Sequence, residues 1–238
     1  GLTGREEFLD PMFAALELIR KEEHAISTSE GGNEGSPAWA AAQLIGCRLF
    51  WQVVEQWRFH SDETTWDGLI LRYGTAYGRY RVSGREEHLL SGLEEVLEGL
   101  RFNTPLKTTE AIFTDRVYVP GWEVLKAMLT GDGVQNNVSP YLSISWEKTG
   151  PDFTALVKET SRERLMVLVF SHASEDRDVT ARLWFAAPGR YRLITRSEDR
   201  TMQDDVVELQ ERGERLRLSL PSRQLLQVQL ERVDSLPE

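Results

Sequence analysis

Residues 83–100 read SGREEHLLSGLEEVLEGL, and residues 3–16 open the chain with a related stretch, TGREEFLDPMFAAL. In each, a hydroxyl residue (Ser83, Thr3) stands three places before a glutamate (Glu86, Glu6). At that spacing the two side chains can satisfy each other's free backbone donors at a helix start. Apolar residues then recur at matched places, Leu89, Leu93 and Val96 against Leu9, Phe13 and Leu16, which traces one face of a helix. The repeat predicts helical hairpins. A weaker echo, LTGD at Leu129 to Asp132, follows another helical pattern and leads into strand-like sequence.

Working outward, the first helix is expected over 5–23, with Pro11 a point where it could bend. A polar, glycine-rich loop over 25–36 carries Glu30 and Glu34. Pro37 suits the first position of a second helix over 38–58. That helix is apolar nearly all round (Trp39, Leu44, Ile45, Leu49, Phe50, Trp51, Val54, Trp57) and is expected at the centre of the helical part. A third helix over 63–82, preceded by Asp62 and carrying Asp67 in its first turns, places Tyr73, Tyr77 and Tyr80 on one face. It also contains Gly68, Gly74 and Gly78, each costing about 1 kcal/mol against alanine, so close helix contact or a ligand is expected there. A fourth helix fills 83–100 and a turn follows over 103–107. The fifth, over 108–130, is split by Val119-Pro120-Gly121 into 110–118 and 122–129.

From Tyr141 the hydrophobic period falls from 3.6 to 2. Strands are predicted over 141–146, 153–158, 165–170, 179–185, 191–195, 206–210, 216–220 and 225–230, with Gly, Pro, Ser and Asp in the connections. No helix-length pattern separates them, which excludes a parallel sheet and favours an antiparallel sandwich. The run Leu165 to Phe170 is apolar without alternation and is expected mid-sheet. The fold class is therefore α+β and multidomain, an α-hairpin array over 1–138 followed by an antiparallel β-sandwich over 139–238.

The chain has 238 residues, 40% of them hydrophobic and 28% charged, enough for proper cores. Its net charge of −10 is concentrated early: residues 1–139 hold 13 basic and 21 acidic residues, the rest 15 and 17. No basic stripe exists to neutralise phosphates, so nucleic-acid partners are set aside. No apolar run approaches the roughly 18 residues of a membrane span. The single cysteine, Cys47, is expected as a buried thiol, and neither a disulfide nor a zinc-type spacing arises. GxGxxG, Walker, HExxH and GxSxG signatures are missing and the four histidines are scattered, so no metal and no cofactor is expected.

The hairpin turns at Thr3 and Ser83, the run FTDRVYVPGWEVLKAMLTGD from Phe113, and the closing stretches LWFAAPGRYRL from Leu183 and LPSRQLL from Leu220 together resemble the end of the α/α-toroid carbohydrate enzymes, the six-hairpin glycosidases and heparinase-like polysaccharide lyases. The resemblance is one of layout. It implies a partial toroid closed by a sandwich, a carbohydrate partner, hydrolase or lyase chemistry in the full-length protein, and a periplasmic or extracellular location. Fewer helices are present than close a toroid, and the chain starts with Gly1 at a hairpin turn. It is therefore expected to be the C-terminal portion of a longer protein, inactive alone.

Two carboxylates flanking a sugar, with rings for its faces, are what glycoside hydrolysis requires. Asp115, beside Arg116 and a helix break, is the candidate catalytic carboxylate. Arg116, Tyr73, Tyr77 and Trp122 are candidate substrate contacts, with Tyr80, Glu30, Glu34, Asp62 and Asp67 behind them. The rival reading is a non-catalytic scaffold of helical repeats with the sandwich as an interaction module. An acidic, aromatic-lined concavity would favour the first, an exposed apolar patch the second.

Overall fold

The computed structural model describes residues 9–27, 33–61, 63–106, 122–132, 143–147, 149–198 and 200–233. Among them are seven helices, α1 (Asp10–Ser27), α2 (Pro37–Gly46), α3 (Arg48–Ser61), α4 (Asp67–Tyr73), α5 (Ala76–Ser83), α6 (Glu86–Leu106) and α7 (Trp122–Thr130). Eight strands follow: β1 (Ile144–Glu147), β2 (Phe153–Thr160), β3 (Arg164–Ser171), β4 (Arg177–Leu183), β5 (Gly189–Ser197), β6 (Arg200–Leu209), β7 (Glu214–Leu220) and β8 (Leu225–Arg232). The chain divides into two compact units, Gly1–Leu90 and Ser91–Glu238.

In the first unit, α1 turns Met12, Leu16 and Ile19 into a core shared with Ala41, Trp51, Val54, Trp66, Leu69 and Ile70. Pro11 lies in the first turn of α1, where its missing N–H has no helical partner to lose, so no bend results. The helix expected over 38–58 is two helices. The chain turns extended at Cys47, whose N–H bonds the carbonyl of Leu44, and the freed carbonyl of Ile45 accepts the indole N–H of Trp51 at 3.0 Å. Cys47 is in consequence exposed, not buried. The expected central helix is also not uniformly covered: α3 buries Trp51 and Val54 with Gln52, Glu55 and Gln56, while Leu49 and Val53 are 56% and 45% exposed.

The helix expected over 63–82 likewise breaks at Gly74-Thr75, where both residues are extended. Thr75 caps α5, its hydroxyl oxygen accepting the N–H of Gly78 at 3.0 Å. Tyr73 therefore stands on α4, and only Tyr77 and Tyr80 share α5. The capping box read at Ser83 and Glu86 is replaced by another device. Ser83 is the last residue of α5, and Gly84, at φ 70°, gives its N–H to the carbonyl of Tyr80 at 2.7 Å. The Ser83 hydroxyl donates to the carbonyl of Arg79 and accepts from the N–H of Arg85. The matching turn at Thr3 lies outside the described residues. Further on, α6 runs through the expected turn to Leu106, because Pro105 is its penultimate residue and interrupts only the last turn.

In the second unit the strands form two antiparallel sheets, β1-β4-β7 and β2-β3-β8-β5-β6. Both contribute to one core: Ile144, Val179, Ala181, Leu183, Leu216, Leu218 and Leu220 from the smaller, Val157, Val167, Val169, Tyr191, Leu193, Leu226, Val228 and Leu230 from the larger. This is the two-layer arrangement expected when period-2 strands each bury one face. β3 is interior, as expected, with one face fully buried and the other half-buried. The fragment expected over 122–129 is α7, which packs on β1 and β2: the Trp146 indole donates to the carbonyl of Leu129 at 2.7 Å, and Ser143 N–H to that of Thr130 at 3.1 Å. At the far edge β6 is exposed along nearly its whole length. Asp205, opposite core residue Leu193, puts a charge on the inner face, a device that discourages edge-to-edge pairing.

Candidate functional site

Polar residues concentrate between α3 and α5. Gln52, Glu55 and Gln56 recur at i, i+3, i+4 on α3 and are 0%, 0% and 3% exposed. A stripe of this kind stays buried only if its groups find partners. Glu55 meets the break between α4 and α5. Its Oε1 accepts the Thr75 N–H at 2.5 Å and its Oε2 accepts the Thr75 hydroxyl at 2.7 Å. The Thr75 hydroxyl is thereby donor to Glu55 and acceptor from Gly78 at once. The glycines explain how a carboxylate fits there. A Cβ at Gly74 would lie 2.6 Å from Glu55 Oε1, and one at Gly78 would fall inside the carboxyl group itself. Gly68, the third glycine of the pattern, faces open space.

Burial pushes the Glu55 carboxyl up from 4.5 to about 7, against the opposing pull of the two Thr75 hydrogen bonds and of Arg79 and Arg48. Around it, Gln56 Nε2 lies 2.7 Å from His60 Nε2. The Arg81 guanidinium lies 4.3 Å from the centre of the Phe59 ring and donates to the Tyr77 hydroxyl at 3.2 Å. The group can take up and release a proton near neutrality, but with no exposed surface it cannot touch a substrate.

The residues singled out from sequence are dispersed. Tyr73 is half-buried on α4, its ring 5.8 Å from Trp51 and its hydroxyl donating to Glu23 at 3.0 Å. Burial first, then the Glu23 carboxylate, pushes that phenol up. Tyr77 is 1% exposed, edge-on to Phe59 and 6.4 Å from Tyr80, which is also buried. Asp67 is held in a two-bond pair with Arg58 at 2.6 and 3.1 Å. Glu34 is exposed just ahead of α2, and Trp122 opens α7. Asp115, Arg116, Glu30 and Asp62 lie outside the described residues. Among the described residues no group of three His, Cys, Asp or Glu could hold a metal, and no helix is long and apolar enough to cross a membrane.

Glu55 escaped the sequence reading, although two signals pointed to it. A Gln-Glu-Gln stripe interrupts an otherwise apolar helix, and two glycines four apart mark where something presses on α5. Neither signal names the other, since only the tertiary fold brings the stripe to the glycines.

No protein-family model matches the sequence, and no curated protein matches it. Among solved structures the chain is similar over part of its length to a monomeric β-xylosidase from Caulobacter crescentus CB15, with 14% identity and a TM-score of 0.28, covering 35% of this chain and 26% of that one. It is also similar to a glycoside hydrolase family 44 xyloglucanase from Paenibacillus polymyxa, solved with xyloglucan, with 10% identity and a TM-score of 0.24, covering 34% and 17%. The chain thus spans about a quarter or less of the length of these structures.

Proposed function

We propose that this chain is the portion of a carbohydrate-active protein in which a partial α/α-toroid of helical hairpins is followed by a β-sandwich. The observation that supports the reading is the order of parts: helices of which α2–α3, α4–α5 and α5–α6 are joined by only one or two residues, then eight antiparallel strands in two sheets on one core. Sugar contact is assigned to the helical residues Tyr73, Trp122, Arg116 and Asp115, Tyr77 being buried against Phe59, with Asp115 the carboxylate for hydrolase or lyase chemistry in the whole protein. Rings supply apolar faces for a sugar, and carboxylate and guanidinium groups pair with its hydroxyls.

The test is affinity electrophoresis of the chain through gels containing neutral or acidic soluble polysaccharides. Retardation by at least one is expected, and it should be lost in Tyr73→Ala, Trp122→Ala, Asp115→Ala or Arg116→Ala variants whose melting temperatures match the parent. If no polysaccharide retards the chain, or the four variants behave like it, the second reading stands: a scaffold whose helices bind protein. That reading has its own support in Leu49 and Val53, exposed one turn apart on α3.

A further inference from the structure

We propose that Glu55 and Thr75 form a proton-controlled clasp that sets how firmly the start of α5 is held to α3. The proposal is independent of the carbohydrate reading. It stands first on enclosure: Glu55 is fully buried, and its carboxyl group lies where side chains at Gly74 and Gly78 would otherwise stand. It stands second on location. Among the described residues the hydrogen bonds to this carboxylate come from the N–H and hydroxyl of one residue, Thr75, which caps α5 and sits at the two-residue break after α4. A change of charge on Glu55 therefore acts directly on the point where the chain changes direction.

The charged groups acting on Glu55 are Arg79, one turn into α5, and Arg48, at the start of α3. Both favour the ionised form, as does the positive end of α5. Enclosure favours the neutral form and outweighs them. When the carboxyl is neutral, the clasp carries no buried charge; Thr75 Oγ1 can accept the acid proton while still accepting the Gly78 N–H. When it is ionised, both Thr75 donors point at it, yet a full charge is shut away from water, and parting α5 from α3 would hydrate it. The closed form thus binds the proton more tightly than the open form, where the carboxyl returns to its ordinary value near 4.5. Opening becomes easier as pH rises from 4.5 to about 7 and levels off above that.

Amide hydrogen exchange on the full chain between pH 5 and pH 8, corrected for the intrinsic rate at each pH, reads this directly. Opening at residues 75–79 is expected to rise about 70-fold over that interval, while residues of β3 show no such change. In Glu55→Gln the rise should vanish, because the side chain keeps its shape and cannot ionise. Exchange at 75–79 that is flat with pH in the parent, or that rises equally in Glu55→Gln, overturns the clasp. Should that variant fail to fold, the carboxyl-carbon resonance of Glu55 in the parent decides: a midpoint near 7 supports the clasp and one near 4.5 overturns it.

Discussion

The strands and helix α3 bury different kinds of polar group. Within the eight strands the buried polar side chains are hydroxyls, Thr160, Ser171, Thr195 and Ser197, whereas α3 buries a carboxylic acid and two carboxamides side by side. A hydroxyl can turn its single proton toward whatever acceptor is near and never changes charge in the physiological range. A carboxyl needs specific donors, and its burial depends on pH. The sandwich core should therefore respond to lost volume and the helical core to protons. The contrast teaches that one chain can pair an inert core with a responsive one, the difference residing in one carboxyl group, Glu55, on one helix.

The contrast breaks most visibly if the sandwich proves tolerant of a cavity. Leu218 is 1% exposed at the centre of the strand core, so Leu218→Ala should cost about 3 kcal/mol in chemical denaturation, equally at pH 5 and pH 8. A pH-dependent loss would show that the strands also carry a titrating group. Next in size is Glu55→Gln. The carboxyl is raised in the fold, so its contribution is fully present below 4.5 and is lost as pH rises through about 7. The variant should lie about 1 kcal/mol below the parent at the acid end, where an amide N–H replaces the acid O–H as donor to Thr75, and exceed it by about 2 kcal/mol at pH 8, the two together making up the roughly 3 kcal/mol implied by the shift. Equal midpoints at pH 8 would mean that the helical core tolerates the charge. Smallest is Tyr191→Phe. Its buried hydroxyl lies 2.8 Å from the carbonyl of Arg162 and 2.7 Å from that of Ala187, and deletion should cost about 1 kcal/mol with no pH dependence below 9, measured by the same denaturation.

The sandwich was legible because its signal is local. Alternation such as Tyr191, Leu193 and Thr195 inward against Arg190, Arg192 and Arg196 outward states the strand and its face in the same residues. Pairing was not legible: nothing in Leu225 to Leu230 says that it lies between β3 and β5. The helices were legible in period but not in number, because two of the expected ones are each broken into two. Cys47 and Thr75 interrupt runs whose apolar spacing continues across them; the first break is stabilised by the Trp51 indole from the same run, the second by Glu55, which lies on another helix. The candidate site suffered most. Rings at i, i+4, i+7 on a continuous helix would have formed one platform, but with α4 and α5 separate, Tyr73 joins Trp51 while Tyr77 joins Phe59.

The place of β8 has a consequence for how the molecule comes into being. It is the last described strand in the chain, yet it bonds β3 on one side and β5 on the other, closing the middle of the larger sheet. Until it arrives, the β2-β3 and β5-β6 ribbons have no common hydrogen-bonded neighbour, and isolated two-stranded ribbons are marginal in water. During synthesis the larger sheet cannot be completed strand by strand as it leaves the ribosome. It must wait as two ribbons with free edges for the final segment, and for that interval β3, the most apolar strand, is the part in greatest need of protection from other chains.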